Sequence, residues 1–533
     1  MNPLKRIIPF ACLLVLLASL TGCEPNNGNN DEYTEDGKLK ISMRNLYFES
    51  WGGSDAYSDY LKDRFEVSIT PSTYSYNDWT QQVSSAVNAN NLTDVFQFNV
   101  TQFNYASSYK YWTEGQIIKP LPDDLSEWPN VKSLIDNTSE IESLKIDGHI
   151  YGIPIAKNIA KPNVNYSPFT YVYRRDWAKT WGVYQEDDVY TWEQFQNLVR
   201  VFHNNLYLTS DGSKYAMADV EWGFPSLTNF YKQVPHCFAF DSNLNKYVGN
   251  FATDAYVDGL DLAKSFVDKK YYGYDQYNNS VEGGARKAYT TNKTGIFYEN
   301  LSFANYQTIR KEIKTANSYD ANFDVDEATA FMKVKGPDGK FALEGTDNWF
   351  SMTLFNYDIS DNKQRKILDL LDYLLSEEGT KLAVYGLEGY DYIEDGEGNI
   401  TLTENGWPKG DNNEYVEKTN GAKYLRYLAT LGNDYTSFDP LTDQEAYAVL
   451  NAWNEDMDEV VAAGNLRVIK EREEVMWLST PLKDQYESNL LSSATAEIIK
   501  YAYTRVDKSS YLAKMTGGQW PAVLAEINEV LGY

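Results

Sequence analysis

Histidine and cysteine are scarce in this chain, with three of each among 533 residues. Cys12 and Cys23 lie near the N-terminus, which leaves Cys237 alone, and one thiol closes no intrachain disulfide. Such a chain must be held by its cores. Cys237 stands in VPHCFAF, an apolar setting that suits an inert buried thiol better than a nucleophile. His149, His203 and His236 are far apart and lack the spacing of structural zinc or a zincin helix. No motif suggests a Ser-His-Asp triad, although separation in sequence does not by itself dismiss one. Basic residues are also few: 48 Lys and Arg face 76 Asp and Glu, a formal charge of −28. That balance disfavours nucleic acid and anionic phospholipid, whose binding needs a basic footprint. Its plain reading is solubility. No internal repeat points to a solenoid. No apolar run is long enough to span a bilayer; Ile7 to Leu20 falls short of the roughly 20 residues required.

That short run has another use. Lys5 and Arg6 precede it, as in a signal peptide, and Leu20-Thr21-Gly22-Cys23 resembles a bacterial lipobox. In such signals the cysteine thiol is lipidated and the chain is cut just before it. The alternative is an ordinary secretory signal with a chance cysteine. The lipobox reading makes residues 1–22 a signal peptide and Cys23 the membrane anchor, on the extracellular face of the cell membrane. Cleavage would remove Lys5 and Arg6 but no acid, taking the charge from −28 to −30. Residues 23–38 are rich in Asn and acid without apolar periodicity, so they are expected to form a flexible tether.

The rest is globular, with 43% hydrophobic and 15% aromatic residues, and too long for a single core. LKISMRNLYF, VSITPST and TDVFQFNV read as strands, separated by helices at 55–67 and 79–91. A βαβαβ order of this kind implies an α/β fold with a parallel sheet covered on both faces. Ligands of such sheets sit off the carboxyl ends of the strands, so Trp51-Gly52-Gly53 and Val100-Thr101-Gln102 become candidate loops. Further helices are expected at 191–206, opened by Thr191, at 254–271 and through 366–386 with a break at Ser-Glu-Glu-Gly. A last one carries Trp520, Val523, Leu524, Ile527 and Leu531 on one stripe.

DGHIYGIPIAKN, from Asp147, resembles the Asp-Gly-x-x-Tyr-Gly-Ile-Pro segment of extracellular solute-binding proteins of ATP-driven sugar importers, the maltodextrin-binding group. YVYRRDWAKTWGV with TWEQF, then NKTGIFYENLSF with Phe297 where Met is usual, follow in the order of that family. DYLLSEEGTKLAVYGLEGYDY is similar to a lipoprotein subgroup common in Gram-positive sugar importers. The resemblance implies a two-lobed type II binding-protein fold with hinge crossovers and an inter-lobe cleft. Lobe 1 would comprise 39–158 and 345–445, and lobe 2 would comprise 159–344 and 446–533. It implies capture of a carbohydrate, most naturally an oligosaccharide, by a monomer that delivers it to the permease subunits of an ABC importer. Neither catalysis nor a cofactor nor a metal is called for.

Sugar rings offer an apolar face and a rim of hydroxyls, which an aromatic ring and a few polar groups match. By position in the family pattern, the expected ligand contacts in lobe 1 are Trp51, Asp55, Phe98, Asn99, Thr101 and Gln102. In lobe 2 they are Glu221, Trp222 and Phe224, then Glu299, Asn300 and Phe303, with Trp349 on the return crossover. Asp147-Gly148 should make a tight hairpin turn, Pro154 should end the strand before the crossover, and Glu388 should be structural. The acidic loops TSDGSK and EDGEGN lack the alternating ligands of an EF-hand and read as hairpin turns.

Three rivals remain. A tethered glycoside hydrolase needs a carboxylate pair roughly 5–9.5 Å apart; 76 acids permit one, but no motif nominates it. A peptide-binding protein of the same fold suits the length, but its motifs are absent. A helical glycan-capture lipoprotein conflicts with the βαβαβ opening.

Overall fold

The computed structural model describes residues 32–533 except position 50, 101–104, 158–168, 219–224, 273–283, 301, 346, 411–414, 417–418, 432–439 and 442. The expected signal peptide, Cys23 and the start of the expected tether therefore lie outside the described residues. Residues 32–38 do not extend the tether. Lys40 N donates to Glu32 O at 2.9 Å and Ser360 Oγ to Glu32 Oε1 at 2.6 Å, which fastens this segment to the body.

Two five-stranded sheets organise the molecule. In chain order the strands are β1 (Leu39–Asn45), β2 (Val67–Thr73), β3 (Val95–Phe98), β4 (Gly152–Ala156), β5 (Phe169–Arg174), β6 (Val189–Tyr190) and β7 (Tyr215–Ala218). There follow the hairpin β8 (Phe238–Asp241) and β9 (Lys246–Gly249), then β10 (Thr294–Asn300), β11 (Thr329–Val334), β12 (Phe341–Glu344) and β13 (Trp349–Phe355). The last are β14 (Tyr392–Glu394), β15 (Ile400–Leu402) and β16 (Leu466–Ile469). The first sheet has the order β2-β1-β3-β13-β4 and the second β6-β11-β5-β10-β7.

In the first lobe β1 pairs parallel with both β2 and β3, as the βαβαβ pattern requires. Leu39, Ile41 and Met43 bury one face of β1 against Leu61, Leu368 and Leu371, while Phe96 and Phe98 of β3 bury the other against Val83 and Trp112. Helices therefore cover both faces. β13 returns from far along the chain and inserts antiparallel between β3 and β4. Pro154 does not end its strand: β4 continues to Ala156. It is an edge strand, where a residue without an N–H is tolerated. Asp147 (φ 53°) and Gly148 (φ 85°) form the expected tight turn, closed by reciprocal 3.0 Å bonds between Ile146 and His149.

In the second lobe Tyr171 and Tyr173 of β5 face one core and Val172 the other. The helix Trp192–Leu206 opens with a capping box between Thr191 and Gln194 and buries Phe195, Leu198, Val199 and Phe202. The β8–β9 hairpin packs with the helices Asp254–Asp268, Pro481–Tyr503, Lys508–Thr516 and Trp520–Leu531 in a further core. Cys237 is fully buried there, and burial pushes its thiol well above the usual range, so it is held as the inert thiol. EDGEGN is the β14–β15 hairpin turn, but TSDGSK instead joins a helix to β7. Among the described residues no group of three or more His, Cys, Asp or Glu could hold a metal ion, and no helix is long and apolar enough to cross a membrane.

Among the described residues the chain passes between the lobes at three places, beyond β4, between β12 and β13, and beyond residue 431. These crossovers run side by side. Lys157 N donates to Asn348 O at 2.9 Å, Ala156 N to Ala429 O at 2.9 Å, and Leu431 N to Ala156 O at 2.8 Å.

Candidate functional site

The strand ends flanking the crossovers define where a ligand could sit. On the first sheet these are the carboxyl ends of β1, β2, β3 and β4 and the amino end of β13. On the second they are the carboxyl ends of β7, β10 and β11 and the amino end of β5. Irregular backbone at strand ends leaves polar groups and side chains uncommitted to the sheet.

The first-lobe candidates are largely taken up by the fold. Trp51 is 4% exposed, stacks on Tyr424 at 6.3 Å and meets Phe48 edge-on at 5.3 Å. Asp55 caps the helix Ala56–Phe65: Oδ1 accepts from Tyr57 N at 3.0 Å and Ser58 N at 2.8 Å. Trp51 Nε1 and Asp55 Oδ2 are buried without a hydrogen-bond partner among the described residues, and both abut Gly421. Phe98 is fully buried against Trp112 at 4.6 Å, and Asn99 is buried at the end of β3. Thr101 and Gln102 lie outside the described residues. Trp349 is 1% exposed; its Nε1 donates to Ser139 O at 3.1 Å and its ring stacks on Trp477.

A different group of rings occupies this rim. Tyr47, just after β1, lies 5.0 Å from Tyr427, and Tyr427 lies 6.2 Å from Tyr424. Tyr76, beyond β2, is 56% exposed. Burial first, then Tyr76 and Tyr427, push the Tyr47 hydroxyl far above its ordinary range, so it stays neutral and able to donate. Asn45 Nδ2 donates to Tyr427 O at 3.3 Å and ties the end of β1 to the third crossover. Tyr47 and Tyr427 are half-buried.

In the second lobe Glu299 is 6% exposed and paired with Arg286, whose Nη2 lies 2.8 Å away. Asn300 ends β10. Phe303 is the half-buried first residue of the helix Phe303–Ala316, whose cap is Ser302. Glu221, Trp222 and Phe224 lie outside the described residues. Phe169 opens β5 and stacks on Tyr298 at 5.8 Å, and Tyr298 meets Tyr171 edge-on at 5.2 Å. Asn229 Nδ2 donates to the Tyr298 hydroxyl at 2.7 Å. A cavity of about 30 Å³ lies beside these rings, room for a water or a methyl group and not for a sugar ring. A groove of about 720 Å³ lies between the β8–β9 hairpin and the C-terminal helices, and no residue lining it belongs to either five-stranded sheet.

At the crossovers Lys157 donates from Nζ to Asp347 O at 3.0 Å, and burial pulls its ammonium down to about 8 against the opposing pull of Asp347. Tyr47, Tyr76, Tyr427, Phe169 and Tyr298, which no motif nominated, stand at these rims. Tyr47, Tyr76, Phe169 and Tyr298 each lie within a few residues of a strand end, where alternation stops dictating which face a side chain takes, whereas Tyr427 follows the last residue of the helix Gly421–Arg426.

No family model matches the chain, and no curated protein is significantly similar to it in sequence. Its fold is widely shared. The alginate-binding protein AlgQ2, solved without calcium ion, superposes with a TM-score of 0.62 at 12% identity, over 94% of this chain and 98% of that one. An extracellular solute-binding protein from Bifidobacterium longum subsp. infantis gives 0.59 at 13% identity, over 93% and 96%. The N-glycan transport solute-binding protein NgtS from Streptococcus pneumoniae gives 0.55 at 13% identity, over 92% and 98%. The chain thus has the two-lobed α/β fold of solute-binding proteins over more than nine-tenths of its length.

Proposed function

We propose that this chain is a lipid-anchored extracellular solute-binding protein that captures an oligosaccharide between its lobes and delivers it to an ABC permease. The observation that carries the reading is the pairing of half-buried and exposed rings at the strand ends of both lobes, on either side of the side-by-side crossovers. Tyr47, Tyr76 and Tyr427 supply apolar faces from the first lobe, and Phe169 and Tyr298 from the second. Rings at both rims suit a ligand with two apolar faces, and neighbouring amides suit its hydroxyls. Structural relatives named for binding alginate and transporting N-glycans support a carbohydrate over a peptide. Closure about crossovers of this kind would bury the ligand, and the closed population would be the one the permease engages. Cys23, as the lipidated residue, would confine the protein near its permease and raise the effective concentration for delivery. The protein itself would do no chemistry.

Thermal unfolding of the mature, unlipidated protein against neutral and acidic oligosaccharides, monosaccharides and short peptides tests this. A ligand at about 100 times its Kd adds roughly 2.7 kcal/mol, a clear rise in Tm. A rise with intact glycan is expected. New reducing ends in the same samples would overturn the reading in favour of a hydrolase, and a rise with peptides alone would overturn the sugar.

A further inference from the structure

At the middle crossover the lobes grip one another through a buried charge. Glu140 follows the first-lobe helix Pro129–Asp136 and takes φ 58°, ψ 24°, left-handed backbone that a non-glycine residue holds at a cost. Its carboxylate is 4% exposed, yet both oxygens take donors from the opposite lobe. Oε1 receives the ammonium of Lys470, and Oε2 accepts from Trp477 Nε1 at 3.2 Å. Lys470 directly follows β16, which is bonded alongside β12 of the second lobe. Its Nζ also reaches Asp347 Oδ1, in the crossover itself, at 3.3 Å. The Trp477 ring lies parallel to Trp349 at 6.4 Å and packs on the first-lobe core that contains Trp349.

We propose that Glu140, Lys470 and Trp477 form an inter-lobe brace that sets the balance between arrangements of the two lobes without touching ligand. Parting the lobes here would exchange the ion pair and the Trp477 hydrogen bond for water at both charges, so the balance of arrangements depends on how far the pair offsets the cost of desolvating Glu140 and Lys470. Strained backbone persists only where its surroundings over-determine it, and at Glu140 part of those surroundings comes from the other lobe. Because Asp347 lies on the crossing chain, rotation about the crossovers moves one member of the cluster against the others. The inference concerns lobe motion alone, and it stands or falls independently of what the protein binds.

The test is an inter-lobe distance distribution on the ligand-free mature protein with Cys23→Ser. Spin labels are placed at Tyr111→Cys in the first lobe and Tyr319→Cys in the second, positions 67% and 81% exposed; the native thiol, Cys237, is buried. Glu140→Gln and Lys470→Met should each displace or broaden the distribution, by roughly tenfold in the balance of arrangements, and the double variant should add little to either. Lys381→Met, which breaks the 2.8 Å pair with Glu394 inside the first lobe, should leave it unchanged. Lys470 is 31% exposed, so its variant gives the answer should Glu140→Gln fail to fold. A wild-type distribution in the folded Lys470→Met protein, even with a lowered Tm, would reduce the cluster to packing and overturn the proposal.

Discussion

Glu471→Gln should flatten part of this protein's stability profile between mildly acidic and mildly alkaline pH. Glu471 lies two residues beyond β16, 9% exposed, and its Oε1 finds no hydrogen-bond partner among the described residues. Burial first, then the nearby Glu487 carboxylate, raise its carboxyl from 4.5 to about 8; Lys483 and a backbone bond from Phe238 oppose the rise. Lys483 cannot neutralise both acids, since its Nζ lies 3.0 Å from Glu487 Oε2. The folded state therefore holds this proton more tightly than the unfolded chain does. Its contribution to stability is whole below pH 4.5, declines through the interval to about 8, and is lost above it. At about 1.4 kcal/mol per tenfold in proton affinity the full interval is worth about 5 kcal/mol, a ceiling that local hydration of the charged site would lower. Glutamine keeps the shape and cannot ionise. Urea unfolding at a series of pH values should show the variant gaining on wild type as pH rises, with most of the gain complete by about 8. A difference that stays constant across the series would refute the buried, neutral acid.

Three other predictions bear on the fold and the rim. Gly379→Ala should cost about 3 kcal/mol or more, because its Cβ would lie 2.0 Å from the Tyr373 carbonyl oxygen; an unchanged Tm would refute the clash. Asp55→Ala should cost about 1 kcal/mol through loss of the helix cap and leave ligand affinity unaltered; a large rise in Kd by calorimetry would return Asp55 to the site. Tyr427→Ala should weaken ligand binding roughly tenfold with little loss of stability, whereas Trp51→Ala should chiefly lower Tm; the reverse pattern would restore Trp51 as the stacking ring.

Much of the architecture is legible because local rules and tertiary outcome agree. Alternation in LKISMRN buries Leu39, Ile41 and Met43 together, Thr191 caps the helix it precedes, and Asp147-Gly148 turns the chain with two positive φ angles. The failures are long-range. Nothing within GIPIA tells that β4 is an edge strand, which is what lets Pro154 sit inside it, because the neighbour that makes it so, β13, comes from residues 349–355. Residues 32–38 look like tether by composition, yet a bond to Ser360 and a turn at Thr34 hold them down. TSDGSK has the Asp-Gly of a hairpin, but Asp-Gly fixes only the turn, and here a helix precedes it.

The strand ends that face the crossovers were legible in the sequence, but which of their side chains stay open was not, and β1 shows why. After Asn45 the chain enters a short 3-10 turn, Leu46–Phe48, which rotates successive side chains by about a third of a circle instead of half. That sends Leu46 and Phe48 into the core and leaves Tyr47 half out, beside Tyr427. Trp51, the larger ring and the more tempting candidate, arrives after Phe48 and is drawn in by Phe48 and Tyr424. Trp349 meets the same fate, because its ring face is met by Trp477, a residue of the C-terminal segment that no reading of TDNWFS could supply. A tryptophan at a strand end buries more apolar area than a tyrosine does, and that gain outweighs the indole N–H of Trp51 left without a partner among the described residues, while the N–H of Trp349 is met by Ser139 O. The rings left at the rim are accordingly mostly tyrosines, which can hydrogen-bond while they stack, and a search for the contact surface should begin with them.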